Sequence, residues 1–176
     1  MGFDQTLFSY INGLAGKGGV LDFLGIFLAD YLWYFLIIAV LVIVFRLKSW
    51  KERIYYFSFV ALTAILARGI ISETIRFFYH RPRPFMVSDV NLLINHSNNG
   101  AFPSGHTTLV FAVILPIFYI NERLAWYLTS GAVLVGLARV YCGVHWPTDI
   151  LGGMAVAVIG FYAIDYLFKK TGVKAK

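Results

Sequence analysis

The sequence predicts an all-α fold, a polytopic membrane helix bundle with about five to six transmembrane helices. Three observations predict it. Of 176 residues, 59% are apolar and only 14% are charged, against about 25% charge in a soluble domain. The apolar residues gather into runs near the roughly 20 residues that cross a hydrocarbon core, too long and too uncharged for a soluble core. The cations collect in alternate links between those runs, as expected of a multi-pass protein.

Taken in order, residues 3–15 mix apolar and small polar types and predict a short amphipathic helix at the membrane interface. Met1 opens this stretch without a positive start, so no cleaved signal peptide is expected. Residues 21–45 hold the first span, with Tyr31 to Phe45 as its uninterrupted part and Asp22 and Asp30 before it. Further spans fall at 55–75, 107–120, 124–141 and 149–168. A sixth crossing requires the first 30 residues to enter the bilayer more deeply. The polar interval 77–102, with Pro82, Pro84, Asn91, Asn95, Asn98, Asn99 and Gly100, cannot face lipid because its amides need partners. A loop of this length is more often functional than not. The whole reads as one domain over 1–176: an interfacial N-terminus over 1–20, a helical core over 21–168 and a basic tail over 169–176.

The net charge of +6 follows the spans and not a groove-binding motif, so no nucleic-acid partner is expected. The lone cysteine, Cys142, excludes an internal disulfide. Arg46, Lys48, Lys51, Arg53, Arg123, Lys169, Lys170, Lys174 and Lys176 fall on one side of a five-span topology, which the positive-inside rule makes cytoplasmic. Arg76, Arg81, Arg83 and Arg139 fall on the opposite, outward side. Cations placed there against the charge rule call for an anionic ligand.

Three polar clusters occupy that outward face: Arg76-x6-Arg83-Pro84, Pro103-Ser104-Gly105-His106, and Arg139-x5-His145-x3-Asp149. His145 and Asp149 share a helix face at this spacing. The carboxylate can hold the ring through Nδ1 and leave Nε2 as a nucleophile. Pro147 suits a first helical turn, so the last span begins near Trp146 with His145 at its mouth. Ser104 fits an N-cap, and the free amides of a helix N-terminus form an anion site that Gly105 lets a ligand approach. His106 beside such a ligand can protonate a departing oxygen. Arg76, Arg83 and Arg139 can grip phosphate oxygens with their rigid forks. Singly, each group also has an ordinary explanation: an interfacial tie for His145 and Asp149, a plain cap for Ser104, snorkelling for an arginine.

The three clusters, in this order and spacing, resemble those of the type 2 phosphatidic acid phosphatase superfamily of membrane lipid phosphatases. The likeness covers roughly residues 21–168. Its first motif is usually Lys-x6-Arg-Pro, where this chain has Arg76. Its third usually carries Ser where this chain has Ala138, which removes one hydroxyl contact to phosphate. The resemblance implies that His145 forms a phosphohistidine assisted by Asp149. It implies that His106 protonates the leaving group and later acts as base, that Ser104 and Gly105 join the three arginines around phosphate, and that no metal or cofactor takes part.

Within that family the chain is most similar to small bacterial undecaprenyl pyrophosphate phosphatases of the bacitracin-resistance type. Arg83-Pro84-Phe85, Leu92–His96 and Ala101–Thr108 carry this likeness, with Asn12-Gly13-Leu14-Ala15 and Leu21-Asp22 adding to it. The implied partners are a membrane lipid diphosphate or phosphate and the bilayer. The implied place is a bacterial cytoplasmic membrane, with the site facing the periplasm or exterior. Arg81, His96 and His80, in the outward loop, are candidates for a second phosphate. The alternative substrates are phosphatidylglycerophosphate and phosphatidic acid. A non-catalytic transporter would show inverted repeats with polar groups at mid-membrane, and the sequence has its polar groups at span ends.

Overall fold

The structure, a computed structural model, describes residues 2–172. Met1, and Lys174 and Lys176 of the expected basic tail, lie outside them. The helices run α1 (Phe3–Asn12), α2 (Val20–Asp30), α3 (Leu32–Phe45), α4 (Trp50–Phe78), α5 (Pro84–Val87), α6 (Gly105–Tyr119), α7 (Glu122–Tyr141) and α8 (Pro147–Lys170).

Length and apolarity let α4, α7 and α8 each cross a membrane, and α2 with α3 form a fourth candidate span bent by 46°. The bend falls at Tyr31, between the two helices, and Trp33 Nε1 donates to the Asp30 carbonyl there at 3.0 Å. Outward faces stay apolar: Phe35, Ile38 and Val42 on α3 and Leu151, Ile159 and Tyr162 on α8 are exposed. Such surfaces suit contact with lipid. This is an all-α polytopic membrane bundle with three or four apolar spans.

The shorter α6 is the axis of the bundle. Val110, Phe111, Ala112, Val113 and Ile114 are all buried, because α3, α4, α7 and α8 surround the helix. A helix apolar on every side belongs inside. The close fit of α6 on α8 depends on Gly153. A Cβ there would lie 2.9 Å from the Ser104 carbonyl oxygen and 3.1 Å from Thr107 Cβ. Small residues let membrane helices approach in this way. Gly153→Val is expected to cost about 1–3 kcal/mol through overpacking against backbone, measurable as a lowered unfolding temperature in detergent.

One departure from regularity matters for the site. α4 carries a π-helical turn over Ile65–Ile71, and the Ser72 hydroxyl donates to the Ala67 carbonyl at 2.9 Å within it. Such turns insert one residue into an α-helix.

The segment between α4 and α6 is packed beneath α1, as its backbone requires. Asn12 donates to the Tyr141 carbonyl at 2.8 Å and the Asn91 carbonyl at 2.9 Å, and Asn91 N returns a bond to Asn12 Oδ1 at 2.9 Å. Ala101 N bonds the Arg81 carbonyl at 2.9 Å, Leu93 N bonds the Cys142 carbonyl at 3.2 Å, and Trp146 Nε1 bonds the Pro82 carbonyl at 3.0 Å. These bonds fix the loop against the C-terminal end of α7 and the N-terminal end of α8. Both ends carry motif residues.

Candidate active site

The start of α8 sets the geometry of His145. Pro147 occupies its first turn, where a missing N–H costs nothing. Asp149, on the same turn, accepts from Trp146 N at 2.8 Å with Oδ2, and His145 Nδ1 stands 3.3 Å from that same oxygen. Asp149 is fully buried and His145 only 1% exposed. On its other side, His145 Nε2 lies 3.1 Å from Arg83 Nη1. A guanidinium only donates, so Nε2 must present its lone pair and Nδ1 must carry the proton. The ring is thus held in the tautomer that a nucleophilic Nε2 requires.

Arg83, at the mouth of α5, is itself held from several directions. Nε donates to the Asn99 carbonyl at 3.0 Å, Nη2 to Asn99 Oδ1 at 2.8 Å, and Nη1 to the Val144 carbonyl at 2.8 Å. A buried guanidinium so anchored is pre-organised against reorganisation. Burial, then Arg139 and Arg76, push its pKa down to about 10, which leaves it cationic at neutral pH.

Opposite His145 stands the N-terminus of α6. Ser104 occupies the N-cap position, but its hydroxyl does not cap the helix. It is buried and accepts from Thr107 Oγ1 at 3.1 Å. The expected side-chain cap is therefore absent, and the first amides of α6 stay available to an anion. Gly105 leaves room here for two guanidiniums, which a side chain would push aside. A Cβ would meet Arg68 Nε at 2.7 Å and Arg76 Nη2 at 2.9 Å. Arg76 is 8% exposed and donates through Nη2 to the Pro103 carbonyl at 2.7 Å and through Nη1 to Glu73 Oε1 at 2.9 Å.

These groups line one cavity of about 240 Å³, walled by Arg68, Arg76, Arg83, His96, Asn99, Gly105, His106 and His145 with Trp33 and Leu109 as its apolar side. The His106 ring stands edge-on to Trp33, with centroids 5.3 Å apart. His96 sits between the two catalytic candidates, its centroid 6.3 Å from that of His106 and 5.9 Å from that of His145. Burial, then Arg83 and Arg139, lower the His96 pKa to about 4, and the same causes hold His145 well below the ordinary histidine range. Both rings are neutral at pH 7. A histidine kept neutral by the fold takes up a proton more readily when unfolded. Its contribution to stability is full above 6.5 and is lost as pH falls toward the folded pKa. The unfolding temperature is expected to drop between pH 6.5 and about 4, and His96→Asn is expected to flatten that slope.

Not every candidate reaches the cavity wall. Arg139, 1% exposed, is turned to Asp30 Oδ1 at 3.0 Å through Nη1, and its Nε and Nη2 have no partner among the described residues. Arg81 lies outside the cavity lining. It donates to Asp149 Oδ1 at 2.8 Å and Thr148 Oγ1 at 2.6 Å and pairs with Asp4. Its guanidinium braces the carboxylate behind His145, away from any second phosphate in the cavity. His80 is exposed and faces a separate groove with Phe77 and Asn98. Arg68, Asn99, Trp33, Glu73, Asp30 and Asp4 complete the site or its supports without any motif to announce them. For Arg68 a signal existed, since a charge inside an apolar span is a functional candidate by default. Among the described residues, no group of three His, Cys, Asp or Glu is placed to hold a metal ion.

Residues 57–172 match the PAP2 superfamily. The chain is 33% identical over 167 residues to the undecaprenyl-diphosphatase BcrC of Bacillus subtilis (strain 168), covering 94% of this chain and 82% of that protein. Its fold is similar to that of LpxE from Aquifex aeolicus, with a TM-score of 0.76 at 24% identity over 93% of this chain and 95% of the other. It is also similar to a transmembrane PAP2-type phosphatidylglycerolphosphate phosphatase from Bacillus subtilis, with a TM-score of 0.61 at 24% identity over 97% of this chain and 87% of that one.

Proposed function

Because the chain belongs to the PAP2 superfamily, we propose that it hydrolyses undecaprenyl pyrophosphate to undecaprenyl phosphate and inorganic phosphate through a phosphohistidine, recycling a carrier lipid. The observation that carries this reading is the cavity itself, where an oriented histidine, a second histidine, three arginines and an open helix N-terminus converge. Similarity to an undecaprenyl-diphosphatase supports the choice of lipid.

In this mechanism the terminal phosphoryl group displaces the Arg83 contact from His145 Nε2, which attacks phosphorus. The bridging P–O bond breaks, and its electron pair leaves with undecaprenyl phosphate. Asp149 holds the Nδ1 proton as positive charge builds on the ring. Arg76, Arg83 and the α6 amides bind the equatorial oxygens. Arg139 lies behind the cavity wall, held to Asp30, and its side chain must turn for the buried Nε and Nη2, which lack a partner among the described residues, to join them. His106 protonates the leaving oxygen, then takes a proton from the water that cleaves the phosphohistidine.

The proposed membrane arrangement has five crossings in one domain, with α6 as the short central one. The helix ends and links carrying Arg46, Lys48, Lys51 and Arg53, and Arg123, then face the cytoplasm, and the cavity faces the periplasm or exterior.

The test is phosphate release by the purified protein in detergent without added metal. It compares undecaprenyl pyrophosphate, phosphatidylglycerophosphate and phosphatidic acid, with His145→Ala as control. Preference in kcat/KM for the isoprenyl diphosphate is expected. Preference for a glycerolipid would keep the chemistry and reject the carrier assignment.

A further inference from the structure

The π turn in α4 brings a second arginine to the cavity. Eight residues separate Arg68 from Arg76, and in an uninterrupted α-helix they would point about 80° apart. Arg68 sits within the π turn over Ile65–Ile71, whose wider winding takes up part of that angle and turns the two side chains toward one face. The contacts agree. Arg68 Nη1 pairs with Glu73 Oε1, the same oxygen that accepts from Arg76 Nη1 at 2.9 Å. Both guanidiniums also close on Gly105, where an added Cβ would meet one at 2.7 Å and the other at 2.9 Å.

The two differ in depth. The Arg76 side chain is 9% exposed and that of Arg68 is 34% exposed, so Arg76 lies inside and Arg68 at the mouth. Among the described residues no carboxylate lines this cavity, while Arg68, Arg76 and Arg83 all do. The charge exceeds what one phosphoryl group beside His145 engages, and the surplus lies on the more exposed side of the cavity, at Arg68.

We infer that Arg68, set by the π turn and held by Glu73, binds the lipid-linked phosphoryl group of a diphosphate substrate and so determines preference for diphosphates over monophosphates. The inference rests on the proposed hydrolase reading and adds its specificity element. When the terminal phosphoryl group passes to His145 Nε2, the bridging oxygen keeps the electron pair of the broken P–O bond. The departing group is a phosphate bearing new negative charge, and a guanidinium at the mouth neutralises it. A monophosphate lipid places an alcohol oxygen and carbon there and gains nothing from Arg68.

The experiment uses farnesyl diphosphate and farnesyl monophosphate, which share one tail, with the full chain in detergent. Wild type, Arg68→Gln and Arg68→Lys are compared by the ratio of kcat/KM for diphosphate to monophosphate. Where monophosphate turnover is too slow to measure, the ratio of its inhibition constant to the diphosphate KM is compared across the variants instead. Arg68→Gln is expected to lower the ratio about tenfold, the scale of one charge-assisted hydrogen bond, and Arg68→Lys to restore it in part. Equal losses on both substrates would overturn the inference and leave Arg68 a structural partner of Glu73. If Arg68→Gln does not fold, the ratio in Arg68→Lys decides, and an unchanged value rejects the inference. Failure of wild type on both farnesyl compounds and on undecaprenyl pyrophosphate would instead remove the hydrolase reading beneath it.

Discussion

Replacing His145 by alanine is expected to lower kcat by at least about 10⁴-fold, the scale seen when the nucleophile of an oriented catalytic set is removed. Every contact of its ring prepares Nε2. Asp149 stands at Nδ1 at 3.3 Å, and Arg83 faces Nε2 at 3.1 Å. No neighbouring side chain can substitute. His96, whose centroid lies 5.9 Å away, has among the described residues no carboxylate bonded to its ring and bonds only toward Ser97. The measurement is steady-state phosphate release together with acid-quench trapping of a labelled phosphoenzyme. Label retained by His145→Ala would move the nucleophile elsewhere. Because the ring fills a buried site, unfolding temperature should be followed alongside, with His145→Asn as a second variant.

The second large effect is expected at His106 and depends on the leaving group. For a lipid monophosphate the departing oxygen is an alkoxide and needs a proton, so His106→Gln is expected to cost about 10³-fold, within the range for general acid catalysis. For a lipid diphosphate the departing group is a phosphate, whose proton affinity corresponds to a pKa of about 6. It leaves without full protonation, and the loss is expected to be only about tenfold in the first step. Pre-steady-state bursts on farnesyl diphosphate and farnesyl monophosphate separate that step from cleavage of the phosphoenzyme. Similar losses on both would show that His106 serves to position substrate or to activate water, and not as the acid.

Much of this site was legible in the chain because it is local. His145, Pro147 and Asp149 lie within one helical turn, and the Pro103–His106 run begins α6 where the sequence places it. The apolar runs likewise anticipated α3, α4, α7 and α8. What escaped was set by geometry that letters do not encode. Arg81 and Arg83 are two apart and both read as phosphate ligands, Arg83 for the first phosphate and Arg81 for a second, yet each precedes a proline and is pushed toward extended, polyproline-like backbone. Arg83 has φ −75° and ψ 158°. With three residues per turn in that conformation, side chains two apart diverge by about 120°. One guanidinium meets Nε2 of His145, and the other braces Asp149 from behind. Arg68 escaped for a related reason, since α-helical counting puts it on the wrong face until the π turn is known. Asp4 escaped because its role is tertiary: it accepts from Thr148 N at 3.0 Å, at the start of a helix far along the chain.

The Asp30–Arg139 pair has a consequence for how the protein is made. Its members are 109 residues apart, so at a synthesis rate of about 5–20 residues per second the carboxylate emerges roughly 5–20 s before its cation. During that interval the first bent span carries an unmatched acidic group at the level of the bend, where a nascent chain bears a desolvation cost. Completion of α7 removes it. Chains truncated just before Arg139 are therefore expected to be cleared by membrane proteolysis faster than chains ending just after it. Asp30→Asn is expected to narrow that difference in a pulse-chase measurement.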